Sequence, residues 1–118
     1  MPGGSMILTN LDPRWLLRDG KRVGLIFQSP IKAAWYQSCM FQPTDWKDQR
    51  DMFNAALPEY GEYAYSKVQG CNTACGWAPT PSADLANFET LSVTPSIDGS
   101  VGGLWHGYIT NGQIVGGI

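Results

Sequence analysis

The chain has little positive charge, and only one of its 118 residues is histidine. Eight lysines and arginines stand against ten aspartates and glutamates, and the longest basic run is Lys21-Arg22. Nucleic-acid binding rests largely on clustered basic side chains that neutralise phosphates, so we expect no nucleic-acid partner. No apolar run approaches the ~20 residues of a membrane-spanning helix, and the N-terminus lacks a signal-peptide pattern. We therefore expect no membrane partner and a cytoplasmic location.

Cysteine is scarce as well, and its number is odd. Three cysteines fit a disulfide framework poorly, whereas reduced thiols or metal ligands suit this count. Glycine and proline are plentiful instead, with 14 and 8 residues, which favours turns and short strands over long helices. The length predicts a single domain over residues 1–118. The sequence leaves open whether residues 1–5 are a tag remnant or a flexible N-terminus.

Two tight hairpins are the clearest structural signals. Asn111-Gly112 suits a type I′ turn, which needs positive φ at both positions, and it joins predicted strands 104–110 and 113–115. Alternation along the first strand places His106 and Tyr108 on the face opposite Ile109. Asp19-Gly20 predicts a second hairpin between strands 14–18 and 21–28. A further strand, 91–94, is expected to end at Pro95, which cannot donate to a ladder.

Residues 45–57 form the one strong helix pattern. Thr44 or Asp45 suits the N-cap, Pro58 ends the segment, and Trp46, Phe53 and Leu57 fall on one face. Alternating tyrosines predict another strand over 59–68. The resulting fold class is α+β, a mainly antiparallel sheet with two tight hairpins and one helix packed on one face. We expect the five tryptophans to fill the core, although an exposed cluster would indicate a sugar- or protein-binding face: Trp15, Trp35, Trp46, Trp77 and Trp105.

The cysteine spacing predicts one candidate metal site. Cys71 and Cys75 are separated by three intervening residues and bracketed by glycines, so a tight turn could bring two thiolates to one cation. His106 and Cys39 would complete a tetrahedral zinc set. The alternative is a pair of small buried thiols, or a disulfide between Cys71 and Cys75 under oxidising conditions.

Ser96, Asp98 and His106 form a second candidate constellation. Histidine is the residue type that exchanges protons near neutral pH, so a general base here would be His106 or a perturbed carboxylate. A nucleophilic serine needs such a base within reach and an acid that orients it, roles open to Ser96 and Asp98. No G-x-S-x-G elbow is present, and each residue has an ordinary structural reading as a turn hydroxyl, a turn acid or a packed strand histidine.

Three motifs resemble a family of small proteins from phages and mobile elements. They are Phe27-Gln28-Ser29-Pro30, Thr94-Pro95-Ser96-Ile97 and Trp105-His106-Gly107-Tyr108-Ile109, the last followed by the Asn-Gly turn. The family pattern has cysteine where this chain has Ser29, so a metal ligand at that position would be lost here. The resemblance covers about the last thirty residues well and implies functional roles for Ser96 and His106.

The same resemblance implies several functions. Some family members are encoded beside bacterial ubiquitin-like conjugation genes, where a peptidase role is suspected. The leading hypothesis is thus a hydrolase-like domain acting as a peptidase on a ubiquitin-like or host protein, in the host cytoplasm or associated with a virion. The alternatives are a non-catalytic virion component or a modulator that binds a host protein, and a structural zinc domain.

Overall fold

A computed structural model describes residues 6–71 and 75–117. Within these ranges the chain forms nine strands and one α-helix. In chain order they are β1 (Met6–Ile7), β2 (Arg14–Arg18), β3 (Lys21–Gln28), β4 (Tyr36–Met40), α1 (Trp46–Ala56), β5 (Val68–Gln69), β6 (Ala78–Thr80), β7 (Ser92–Asp98), β8 (His106–Thr110) and β9 (Gln113–Val115). Short 3₁₀ helices cover Leu8–Leu11, Pro58–Lys67 and Ser100–Gly102.

The strands form two sheets, and this arrangement confirms the α+β class. One sheet has five strands in the order β1-β9-β8-β7-β6, and the other has four in the order β2-β3-β4-β5. Neighbouring strands are antiparallel except β4 and β5, which run parallel. Each predicted hairpin belongs to a different sheet: β8 and β9 lie in the first, β2 and β3 in the second.

The four-stranded sheet is the middle layer, because both of its faces are buried. Phe27 and Cys39 point towards the five-stranded sheet, where they pack with Val93 and Trp105. The opposite face packs on the helix, where Phe53 is fully buried with other apolar side chains. The molecule therefore has three layers, and the far face of the five-stranded sheet stays exposed. The helix covers one face of a sheet, as predicted.

The hairpin turns match the predicted turn chemistry. Asn111 and Gly112 have φ of 50° and 73°, and Asp19 and Gly20 have φ of 52° and 78°. The register across the first turn pairs Thr110 with Gln113, as a two-residue loop requires. On β8 the odd positions are buried and His106 and its even neighbours are exposed, which confirms the predicted faces.

Three local predictions are wrong. Residues 58–67 form a 3₁₀ helix instead of a strand, and Gly61 at φ 74° interrupts it. The strand expected to end at Pro95 continues to Asp98, because a register shift between Val93 and Ile97 lets the ladder pass the proline. Tryptophan also fills the core only in part: of the five side chains Trp105 is fully buried, whereas Trp35 and Trp46 are 45% and 47% exposed.

Helix α1 begins as its sequence predicts. The Asp45 side chain accepts a hydrogen bond from the Asp48 backbone N–H at 2.8 Å, which satisfies one of the unpaired donors of the first turn. At the other end the Leu57 N–H donates to the Phe53 carbonyl at 3.1 Å. A cap of this kind contributes about 1 kcal/mol, and here it fixes where the helix enters its groove on the sheet.

A charged network ties strand β2 to the end of α1 and to the 3₁₀ helix that follows it. Arg14 donates to Asp12 and Glu59 and to the Ala56 carbonyl, with N–O distances of 2.5–3.2 Å. The Tyr36 hydroxyl donates to Asp12 at 2.5 Å. The hydrogen bond from Arg14 lowers the pKa of Glu59 to about 2. Burial raises the pKa of Asp12, but the hydrogen bonds from Arg14 and Tyr36 together outweigh it and lower that pKa.

This network predicts a loss of stability in acid. A carboxyl whose folded pKa is lowered stabilises the fold above its unfolded pKa, and that contribution disappears as the pH falls through the folded value. We expect the free energy of unfolding to fall between about pH 4.5 and pH 2, measured by urea denaturation. The Asp12→Asn/Glu59→Gln variant should show a flatter profile, because amide side chains do not titrate in this range. Asparagine also tolerates the φ of 48° at position 12, so the substitution adds no backbone strain. Asp51→Asn, which removes an exposed pair with Lys47, should keep the wild-type slope.

Candidate functional site

The candidate site lies where β7 pairs with β8. Asp98 is directly opposite His106 in this ladder, and Ile97 is opposite Gly107. Ile97 is buried in the core, so its neighbours Ser96 and Asp98 face the other way, on the outer face that also carries His106. The fold therefore brings the three residues of the predicted constellation together on one surface.

Ser96 and His106 are within hydrogen-bond distance of each other. Ser96 Oγ is 3.3 Å from His106 Nε2. This is slightly longer than the 2.6–3.2 Å of a formed nucleophile–base pair, and such contacts are commonly loose in the absence of substrate. Asp98 Oδ1 lies on the other side of the imidazole, 3.9 Å from Nδ1. That separation is too long for a hydrogen bond but short enough for electrostatic attraction.

Two hydrogen bonds from Ser100 stabilise the ionised form of the Asp98 carboxylate. The Ser100 hydroxyl and backbone N–H donate to Asp98 Oδ1 at 2.5 Å and 2.9 Å. These hydrogen bonds, with the side-chain contribution the larger, lower the pKa of Asp98. A negative charge facing Nδ1 favours the imidazole tautomer that carries its proton there. In that tautomer His106 Nε2 presents a lone pair to the hydroxyl of Ser96.

The strand that carries His106 is held in place through the preceding residue. The Gln37 side chain, buried on β4, donates to the Trp105 carbonyl at 3.0 Å and accepts from its N–H at 2.9 Å. Trp105 is itself fully buried, stands edge-on to Phe27 and donates from Nε1 to the Gly116 carbonyl at 2.8 Å. A Cβ at Gly107 would lie 2.4 Å from the Trp105 ring, so glycine is required there. These contacts set the backbone position of His106.

The site is open to solvent. The side chains of His106 and Asp98 are each 53% exposed. On the same face, Tyr108 and its ladder partner Val115 are 48% and 43% exposed. The arrangement is therefore a flat surface with an apolar flank, which admits a large partner more readily than it encloses a small molecule.

A pocket of about 270 Å3 adjoins this surface. Its walls are Gln37, Ser38, Gln69, Gly70, Cys71, Cys75, Trp77, Ile97, Asp98, Gly99 and Val101. Asp98 belongs both to the pocket and to the constellation with His106. The Trp77 indole N–H donates to the Ser96 carbonyl at 3.1 Å, so the pocket wall also holds the backbone of the candidate nucleophile.

The predicted zinc ligands occupy different surroundings. Cys39 is fully buried between the sheets, and burial raises the pKa of its thiol, with a smaller contribution from Cys71 and Cys75. Cys71 Sγ is 3.5 Å from Ser38 Oγ, and His106 is next to Ser96 on the outer face. In residues 6–71 and 75–117 no group of three or more histidine, cysteine, aspartate or glutamate side chains could hold a metal. Residues 72–74, inside the predicted Cys71–Cys75 turn, lie outside the described residues, and zinc binding stays a prediction.

The comparisons with known proteins give no information about the candidate site. No family model, curated protein or solved structure matches the chain. The resemblance to phage and mobile-element proteins stays a prediction. No helix in the described ranges is long and apolar enough to cross a membrane.

Several residues around the site are not among those predicted from the sequence. Gln37 lies in a segment without a clear strand or helix pattern, and its role depends on a contact with Trp105, 68 positions away. Ser100 could have been anticipated, because serine two residues after an aspartate commonly closes an Asx-turn. Gln69 lies on β5 and Trp77 directly precedes β6, the edge strands of the two sheets, and only the folded chain brings both to the pocket beside the site.

Proposed function

We propose that this chain is a serine-dependent hydrolase that cleaves an ester or amide bond in a protein partner. The observation that carries the proposal is the contact between Ser96 Oγ and His106 Nε2 at 3.3 Å. Asp98 on the far side of the same imidazole supports it, because its charge favours the tautomer in which Nε2 accepts a proton.

Ser96, His106 and Asp98 have separate roles in the reaction. Ser96 Oγ attacks the carbonyl carbon of the substrate while its proton passes to His106 Nε2. The tetrahedral intermediate then expels the alcohol or amine, which takes the proton from His106 and leaves an acyl group on Ser96. Water attacks this acyl-serine, His106 removes a proton from the water, and the proton returns to Ser96 as the acid departs. Asp98 stabilises the imidazolium in both halves of the reaction.

The open surface favours a polypeptide as the substrate. Ser96 is half-buried on the outer face, and the exposed side chains of Tyr108 and Val115 on the same face offer apolar contact to a partner. The resemblance noted in the sequence implies a ubiquitin-like or host protein as the partner and a phage or mobile element as the source. We include this partner and this source in the proposal.

Ester hydrolysis tests the proposal directly. Purified protein should hydrolyse 4-nitrophenyl acetate, and Ser96→Ala should lower the rate by about 10³-fold or more, because the nucleophile is lost. Thr110→Ala is the matched control, since Thr110 is exposed on β8 at the opposite end of the strand from His106. Equal hydrolysis by wild-type and Ser96→Ala protein would contradict the proposal. Absence of hydrolysis by the wild-type protein would favour the alternative of a non-catalytic virion or host-binding protein.

A further inference from the structure

A tryptophan directly before β4 forms a wall of two neighbouring pockets. The first, which we call the Trp35 pocket, has a volume of about 250 Å3, and its other walls are Gln69, Gly102 and Leu104. The second, of about 320 Å3, is formed by Trp35 with Ala34, Ser66 and Lys67. The Trp35 side chain is 45% exposed and packs with neither core cluster of the described residues. Trp35 therefore contributes little to the core, although tryptophan is among the side chains with the most apolar surface to bury.

Backbone hydrogen bonds hold both sides of the Trp35 pocket. The Ser29 N–H donates to the Trp35 carbonyl at 2.8 Å, and the Trp35 N–H donates to the Lys32 carbonyl at 2.9 Å. These bonds close the connection from β3 to β4 on itself. Across the pocket, the Leu104 N–H donates to the Gly99 carbonyl at 2.9 Å. The pocket is thus already formed in the free protein, which lowers the entropic cost of binding a ligand there.

The walls of the Trp35 pocket are mainly apolar. Gln69 supplies the one polar side chain among the described residues that line it. A Cβ at Gly102 would lie 2.7 Å from Gln69 Nε2, so glycine lets this amide lie directly against the loop. The volume is below the ~300 Å3 at which pockets for drug-sized ligands begin, so the pocket fits one large apolar side chain. A sugar would need several hydrogen-bonding side chains, which the described walls do not provide.

Two lysines border this apolar surface. Lys67 lines the pocket on the other side of Trp35, and its ammonium lies 4.9 Å from the centre of the Tyr60 ring, a cation–π contact. Lys32 Nζ lies 3.6 Å from the position that a Cβ on Gly103 would take. Within the described residues neither lysine is in a salt bridge, and no aspartate or glutamate lines either pocket. The border is therefore positive in a chain of net charge −2, and it complements carboxylates.

We propose that the Trp35 pocket is a docking site for a partner polypeptide, and that it binds a large apolar side chain flanked by acidic residues. The apolar side chain packs on the Trp35 indole and Leu104, and the flanking carboxylates face Lys32 and Lys67. Gln69 is a wall of both this pocket and the pocket beside Asp98, so the two cavities are neighbours. The proposal concerns binding alone and does not depend on a nucleophilic Ser96.

Three short peptides test this specificity. Acetyl-Glu-Phe-Glu-amide has the proposed features, acetyl-Gln-Phe-Gln-amide lacks the charges, and acetyl-Glu-Ser-Glu-amide lacks the apolar side chain. In NMR titrations of the whole chain, the first peptide should cause saturable shifts of the Trp35 indole N–H signal and of the Gly102 and Leu104 amide signals. The neutral peptide should bind about fivefold more weakly, because two exposed charge pairs are lost. The serine peptide should cause no saturable shift.

Substitution of the aromatic wall shows whether the peptide occupies this pocket. Trp35→Ala should abolish the shifts of the Gly102 and Leu104 signals. Trp46→Ala is the matched control, because the Trp46 side chain is 47% exposed but lines neither pocket. Loss of binding in Trp46→Ala with binding retained in Trp35→Ala would contradict the assignment.

Substitution of the lysines tests the acidic flanks separately. The Lys32→Gln/Lys67→Gln variant should bind the charged peptide only as well as the neutral one. Lys21→Gln removes an exposed lysine at the opposite end of β3 and should leave the affinity for the charged peptide at the wild-type value. Equal affinity loss in both variants would contradict a local role for Lys32 and Lys67.

Other occupants of the pocket give distinct results. Equal affinities for the three peptides, or no saturable shift with any of them, would overturn the docking proposal. Shifts of the same signals by cellobiose but not by the charged peptide would assign the pocket to a carbohydrate. A dimer in size-exclusion chromatography that Trp35→Ala dissociates would assign this face to self-association of the chain. None of these results changes the expected hydrolysis of 4-nitrophenyl acetate, so failure of the docking proposal is distinguishable from failure of the hydrolase proposal.

Discussion

A His106→Ala variant is expected to lose about 10³-fold or more of the esterase rate while keeping its fold. The reason is that Ser96 has no other base in contact with its hydroxyl among the described residues, so its proton would have to pass to water. His106 is exposed, and its removal leaves no cavity in the core. The measurement is the steady-state rate with 4-nitrophenyl acetate, together with thermal unfolding followed by circular dichroism.

Chemical rescue distinguishes a base from a residue that only shapes the surface. Added imidazole can occupy the space of the missing ring and accept the Ser96 proton, so it should restore part of the rate of His106→Ala. Once the hydrolysis that free imidazole itself catalyses in buffer is subtracted, it should not raise the rate of Ser96→Ala, which lacks the nucleophile. A His106→Ala protein with wild-type activity would contradict the role assigned to His106, whatever its stability.

The Trp105→Ala variant is expected to lose about 3–5 kcal/mol of unfolding free energy, the range for removing a large buried aromatic side chain. Trp105 is fully buried, packs against Phe27, and bonds Gly116 through its indole N–H. Its removal leaves a cavity between the two sheets. Such a loss is a large part of the stability of a domain of this size, and urea denaturation measures it.

Trp35→Ala is the matched control for this prediction. The Trp35 side chain is 45% exposed, so its truncation should cost much less than that of Trp105. Similar losses for the two variants would show that the core is not centred on Trp105. Because His106 follows Trp105 in the chain, the Trp105→Ala protein should also lose esterase activity at urea concentrations that leave the wild-type protein folded.

The features that the sequence predicts well depend on neighbouring residues. Positive φ at Asn111-Gly112 and at Asp19-Gly20 sets both hairpins, and Asp45 caps the helix through its own first turn. The alternation along β8 correctly separates the buried Ile109 from the exposed His106, because one face of that strand is covered and the other is not.

The features that the sequence predicts poorly depend on residues that are distant in the chain. The alternating tyrosines predict a strand over 59–68, but among the described residues no strand pairs with the 3₁₀ helix at 58–67, and its Tyr65 N–H instead bonds the Asn54 side chain at 2.9 Å. The sequence also does not predict that the two hairpins belong to different sheets. The hairpin of β2 and β3 is extended by the pairing of β3 with β4, and β4 has no clear strand pattern of its own.

The candidate site combines both kinds of feature. The turn residues and the strand pattern place His106 on the outer face, where the sequence predicts it. The approach of Ser96 to His106 depends on the register shift between Val93 and Ile97. No local sequence pattern predicts this shift. The pocket beside Asp98 combines residues from β4, β5 and β7, so it becomes visible only in the folded chain.

Covalent labelling of Ser96 tests the central claim most directly. A fluorophosphonate reacts with a serine whose hydroxyl is activated by a neighbouring base, and it leaves ordinary surface serines unmodified. Incubation of the wild-type protein should give one adduct, which peptide mass spectrometry places on Ser96 and which disappears in the His106→Ala variant. No adduct on Ser96 in the folded wild-type protein, or an equal yield without His106, would contradict the account.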